Sequence, residues 1–151
     1  MSNYFSNKQV KLLAEAKSSK NYIHLKNENQ SLKDIMNLKN LNKMISMHNY
    51  WDQNNFSLVL DKNIIPFRSF STDGNDLGFS KTSPDPIKVG NYIKKGASLV
   101  LNDLIYLSKD IQLLADDLQI ITNGKCQANL YFSMQSHQAF APHYDTHDVF
   151  A

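Results

Sequence analysis

A change of hydrophobic period near residue 50 constrains the fold of this chain more than any other feature. Before it, Leu32, Ile35, Met36, Leu38, Leu41, Met44 and Ile45 recur at mostly helical spacing, which gathers apolar side chains into one stripe of a helix. After it, "NFSLVLDKNIIPFRSF" reads as two short strands, Phe56–Leu60 and Ile64–Phe70, around the turn residues Asp61, Lys62 and Asn63. A chain with both periods has to pack helices with sheet, so the expected class is α+β.

The rest of the chain fills in this plan. "NKQVKLLAEAKSSK" predicts a short amphipathic helix with Val10, Leu12, Leu13 and Ala16 on or near one face. Ser31 is suited to cap the Leu/Met helix, with Asp34 three residues on, and that helix should end near His48. Residues 71–86, "STDGNDLGFSKTSPDP", concentrate Gly, Asp, Asn, Ser and Pro and predict an exposed loop within one domain. Asp85 and Pro86 open a helix that Gly96 closes. Ser98–Leu101 is a short apolar strand, and Asn102 or Ser108 caps a helix with Leu107, Ile111, Leu114 and Leu118 along one side. In "GKCQANLYFSM", Cys126, Ala128, Leu130 and Phe132 alternate with Gln127, Asn129, Tyr131 and Ser133, as in a half-buried strand. A final strand is expected from about His143.

Composition removes some functional classes. The net charge is only +2, the lysines are scattered, and Arg68 is the single arginine, which argues against nucleic acid as a partner. One cysteine, Cys126, allows no internal disulfide and no cysteine-based zinc site, and its alternating apolar surroundings predict burial as a small hydrophobe. The N-terminus has no apolar core of signal-peptide type, and no apolar run approaches ~20 residues. The expectation is a cytoplasmic protein with no membrane partner.

Chemistry concentrates at the end of the chain, in "APHYDTHDVFA". On a strand, His143, Asp145 and His147 share one face. His143 and Asp145 would have Cα atoms roughly 6–7 Å apart, close enough for an imidazole and a carboxylate to reach one ion. His147 would lie about 13 Å from His143, too far along the strand to join them. A His-x-Asp pair with a distant second histidine is the ligand pattern of non-haem Fe(II) oxygenases, which keep the remaining coordination positions open.

"SHQAFAPHYDTHDVF" resembles the metal-binding segment of the cupin-like JmjC oxygenases, a group that includes ribosomal-protein hydroxylases. The positions that match are Gln138, Phe140, Pro142, His143, Tyr144, Asp145, Asp148, Val149 and Phe150, with Ala139 where the family often has Gly. "IKKGASLVLNDLIYLSKDIQLLADDL" is similar to the family's Gly-Ala-x-Leu-Val-Leu-Asn segment and the helix after it, and "ANLYFS" to the strand before the metal loop. The likeness covers residues 86–151, with residues 1–85 as lead-in helices and strands.

This resemblance implies the N-terminal helices and first strands of a double-stranded β-helix, a cupin or jelly-roll barrel incomplete at its C-terminus. It implies Fe(II) held by His143 and Asp145, with 2-oxoglutarate as co-substrate and Asn129 and Tyr131 contacting the co-substrate or the substrate. It further implies that, with oxygen as the oxidant, the co-substrate would be decarboxylated to succinate and a substrate carbon hydroxylated, on a protein side chain, ribosomal or other, or on a small molecule. The family also calls for a second histidine and a basic residue downstream. The chain is therefore expected to be a fragment of a longer enzyme, inactive alone and binding Fe(II) weakly. His24, His48 and His137 are expected to lie outside the site. Two alternatives remain at this level: a cupin-like metal-binding or sensor protein without oxygenase activity, and a small helical interaction module with His143 and Asp145 merely exposed.

Overall fold

Ser6 starts the first helix. Its hydroxyl accepts from the Gln9 N–H at 3.3 Å while Gln9 Oε1 accepts from the Ser6 N–H at 2.9 Å, so two otherwise orphaned donors are satisfied reciprocally. The computed structural model describes residues 2–25, 30–76, 79–134, 140–142 and 145–151. In chain order the elements are α1 (Asn7–Ser19), α2 (Gln30–Ile35), α3 (Leu38–Ile45), β1 (Phe56–Leu60), β2 (Asn63–Ile64), β3 (Ser71–Asp76), β4 (Phe79–Pro84), α4 (Pro86–Lys94), β5 (Ser98–Leu101), α5 (Lys109–Thr122) and β6 (Leu130–Phe132). The class is α+β with antiparallel sheets, and the strands of the described residues form no closed barrel. The backbone divides into a helical unit, Met1–Met47 with Asp103–Asn129, and a sheet unit, His48–Asn102 with Leu130–Ala151.

In the helical unit, Phe5, Ile35, Leu41, Met44, Leu104, Ile111, Ala115 and Leu118 are buried. The Leu/Met stripe forms two helices rather than one. The first begins at Gln30, which puts Ser31 inside the helix rather than at its cap, and it stops at Ile35. Asn37 is extended, and its side chain accepts from the Asn40 N–H at 2.9 Å to start α3. The break turns Leu38 outward, 67% exposed, while Leu41 and Met44 stay inside.

The same unit buries a carboxylate. Asp117, on α5, is 3% exposed. It accepts from Ser2 Oγ at 2.7 Å, Asn3 N–H at 2.7 Å, Tyr4 N–H at 2.9 Å and Asn3 Nδ2 at 3.2 Å. Burial pushes its carboxyl up, but the bonds from Ser2, Tyr4 and Asn3 together outweigh burial and hold it below the usual carboxylate range.

The sheet unit centres on β1 and β5 in the antiparallel order β2-β1-β5-β6. Leu58 faces Leu99 across the central pair, and Leu101 faces Leu130 across the next. Asp61 and Lys62 both have positive φ, 50° and 66°, the pair of conformations a two-residue hairpin turn needs. The second strand stops at Ile64 instead of reaching Phe70. Pro66 has no N–H for a ladder, and Phe67–Ser69 form a 3-10 turn that leads into the buried Phe70.

Within the expected loop, Ser71–Asp76 and Phe79–Pro84 are instead paired antiparallel strands, with Asp73 opposite Thr82 and Ser71 opposite Pro84. They carry Ser, Thr and Asp in place of an alternating apolar face, so hydrophobic pattern gives no sign of them. The helix after them keeps its expected ends. Asp85 accepts from the Ile87 and Lys88 N–H groups at 2.9 and 3.0 Å, Pro86 occupies the first turn, and Gly96 lies just beyond with φ 100°. Ser108 stands at the cap position of α5, without a side-chain capping bond.

Candidate functional site

The alternation over residues 126–133 is real as a burial pattern: Cys126, Ala128, Leu130 and Phe132 are half-buried, and Gln127, Asn129, Tyr131 and Ser133 are exposed. Only Leu130–Phe132 joins the sheet, opposite Leu101, Val100 and Leu99. Just upstream, the Ala128 carbonyl accepts from the Leu104 N–H at 2.9 Å within the helical unit. Cys126 is less buried than its surroundings predict, but burial still pushes its thiol up from the ordinary value.

Of the residues expected at the co-substrate, Asn129 closes the helical unit and Tyr131 belongs to the sheet unit. Asn129 Oδ1 accepts from the Asp103 N–H at 3.4 Å, which leaves its amide N–H₂ as a donor. Tyr131 is 62% exposed, and its ring stands edge-on to Phe140 with centroids 5.8 Å apart. The hydroxyls of Ser98 and Ser133, 2.6 Å apart, tie the chain after β6 back to β5.

His143 lies outside the described residues, as do His137, Gln138, Ala139 and Tyr144. Asp145, Asp148, Val149 and Phe150 are described and exposed. Residues 145–151 run as bends and irregular backbone rather than the expected final strand. Among the described residues no neighbouring strand pairs with them, and an unpaired segment has no ladder to hold it extended. The spacing expected between His143 and Asp145 involves a residue outside those described. His147 Nδ1 lies 3.3 Å from the Asp148 carbonyl oxygen, and His24, His48 and His147 are all exposed.

Among the described residues no group of three or more His, Cys, Asp or Glu side chains could hold a metal ion. The donor chemistry of His143 with Asp145, a neutral imidazole and a carboxylate, suits Fe(II) or Mn(II), and Asp145 is open to solvent.

A second feature gave no signal at the level of motifs. A cleft of about 430 Å³ in the sheet unit is lined by Asp52, Gln53, Asn54, Phe67, Arg68, Lys81 and Thr82. The sign in the sequence was slight: the chain's single arginine, following Pro66 and Phe67 in what reads as a strand. The 3-10 turn exposes Arg68 there instead of pairing it in a sheet. Comparison of the chain with models of protein families, with curated proteins and with solved structures finds no match in any of the three.

Proposed function

We propose that this chain is part of an Fe(II)- and 2-oxoglutarate-dependent oxygenase of the JmjC type that hydroxylates a protein side chain. The observation that carries the reading is the Pro142-His143-Tyr144-Asp145 motif, which follows closely on the strand β6 with Tyr131 exposed on it. The antiparallel run β2-β1-β5-β6 supports taking these strands as the first part of a double-stranded β-helix. Among the described residues no helix is long and apolar enough to cross a membrane, and the proposal puts the protein in the cytoplasm.

On this reading His143 and Asp145 hold the iron. When bound, Fe(II) with its keto-acid co-substrate would activate molecular oxygen, the oxidant, with one oxygen atom ending in succinate and the other in the new hydroxyl group. The chain's own part is to bind and orient. His143 donates a nitrogen lone pair and so acts in its neutral form, while Asp145 contributes negative charge. The Asn129 amide and the Tyr131 hydroxyl are donors suited to a carboxylate of 2-oxoglutarate.

The test uses Mn(II) in place of Fe(II) and the isotopically labelled 151-residue chain. Paramagnetic broadening of backbone amide signals is expected around residues 141–148, deepened by 2-oxoglutarate and lost in His143→Ala and in Asp145→Ala. Broadening elsewhere, or unchanged in both variants, overturns the assignment. Broadening at the motif that 2-oxoglutarate does not deepen fits a metal-binding or sensor protein without oxygenase activity, and hydroxylation of a protein by the complete polypeptide then separates the two readings.

A further inference from the structure

We propose that the cleft between residues 52–55, the Phe67–Ser69 turn and β4 is a binding site for a carboxylate, with Arg68 as its anchor. The site is independent of the metal motif and rests on other residues.

Its walls are built in advance of any ligand. Residues 52–55 are locked by their own hydrogen bonds: the Asp52 N–H donates to Asn55 Oδ1 at 2.8 Å, the Asn54 N–H to Asp52 Oδ1 at 2.7 Å, and Asn55 Nδ2 to the Tyr50 carbonyl at 3.1 Å. Phe67 stands edge-on to the buried Phe70, with centroids 5.2 Å apart, which fixes the turn that carries Arg68. Lys81 and Thr82 are held on β4 by pairing with Gly74 and Asp73. A preformed cleft of this size lies within the usual range for small-ligand sites.

The lining sets two cations against one carboxylate. Arg68 makes no hydrogen bond or ion pair among the described residues, where the one ion pair is Lys11 with Glu15. Its whole guanidinium fork is therefore available to a ligand. Lys81 donates to the Asn49 carbonyl and keeps two further N–H groups. The Thr82 hydroxyl donates to Asp73, so toward the cleft it can only accept.

This arrangement selects among anions. A guanidinium presents two parallel N–H groups that match the two oxygens of a carboxylate. A phosphate dianion gains the same fork but carries more charge against Asp52. A carboxylate with a neighbouring N–H or O–H satisfies both, with its oxygens on Arg68 and its donor on Asp52. Such a ligand is either a free hydroxy or amino acid or an acidic residue within a polypeptide, and the same chemistry recognises both.

The experiment titrates the labelled 151-residue chain separately with glycolate, with the capped tripeptide acetyl-Gly-Asp-Gly-amide and with inorganic phosphate, following backbone amide shifts. At least one carboxylate is expected to give saturable shifts at residues 52–54, 67–69 and 81–82, at lower concentration than phosphate. Tighter binding of the peptide supports a polypeptide source, and tighter binding of glycolate supports a free acid. Arg68→Gln should weaken the carboxylate roughly tenfold, the equivalent of losing one charge-assisted hydrogen-bonded anchor. Arg68→Lys, which keeps the charge but loses the fork, should fall almost as far. Arg68 is exposed, so unchanged Trp51 fluorescence certifies that both variants fold. Phosphate binding as well as carboxylate, no saturable shifts at these residues, or Arg68→Gln binding like the parent chain each overturns the proposal.

Discussion

Among the described residues the sheet unit buries only apolar and uncharged side chains, whereas the helical unit buries a carboxylate beside its apolar ones. In the sheet unit the most completely shielded large side chains are Trp51, Phe56, Leu58, Phe70, Leu99 and Leu101. In the helical unit Asp117 is buried, and it is the one buried ionisable group among the described residues. Apolar burial is non-directional and insensitive to pH, and it scales with area. A buried carboxylate is held only by oriented donors and only while it stays ionised. The comparison teaches that lost volume should weaken either unit, while an added proton should weaken the helical unit in particular.

The largest effect should come from Phe70→Ala. Phe70 is 1% exposed and its ring neighbours Phe56, Phe67 and Tyr92, so truncation should cost about 3–5 kcal/mol. Urea unfolding followed by the fluorescence of Trp51, the chain's single tryptophan and a member of the same unit, reads this directly. A loss below about 1 kcal/mol would break the claim that the aromatic cluster supports the sheet unit.

Next in size is Asp117→Ala, which strips the Ser2, Asn3 and Tyr4 donors of their acceptor and should cost about 2 kcal/mol. Melting followed through the NMR signals of α1 and α5 measures it. The pH dependence sharpens the contrast. Because the Asp117 carboxyl is held below its ordinary value in the folded chain, its contribution is complete above about pH 4. It is lost as pH falls from there through the folded-state value. The acid-dependent drop should be smaller in Asp117→Ala and unchanged in Phe70→Ala. The smallest effect should be a gain. Replacing Asp61-Lys62 by Asn-Gly, residues that accept positive φ readily, should raise stability by about 0.5–1 kcal/mol, measured as a shift in the urea midpoint.

Features written in adjacent residues were legible in the sequence. Asp85-Pro86 with Gly96 bounded α4, Phe56–Leu60 and Ser98–Leu101 formed strands as expected, and the alternation after Cys126 emerged in burial. What failed depended on partners far away or on polar pairing. The Asn37 cap that divides the Leu/Met stripe competes locally with an unbroken period and wins through one hydrogen bond. The paired strands β3 and β4 lack the apolar alternation by which strands are found. Of the site residues, Asn129 and Tyr131 are exposed as their alternation required, while Asp145 lies on irregular backbone where a strand was expected. Arg68 belongs to a cleft assembled from three stretches of chain, and no window of sequence contains all three.

The bond between Ser2 and Asp117 spans 115 residues. A ribosome adding about 5–20 residues per second needs roughly 6–23 s to travel that distance. During synthesis the newly made α1 must therefore wait, without the helix that will bury its inner face, while the whole of β1 to β5 emerges. The helical unit begins first and is completed late, so α1 is made well before the helix it packs against.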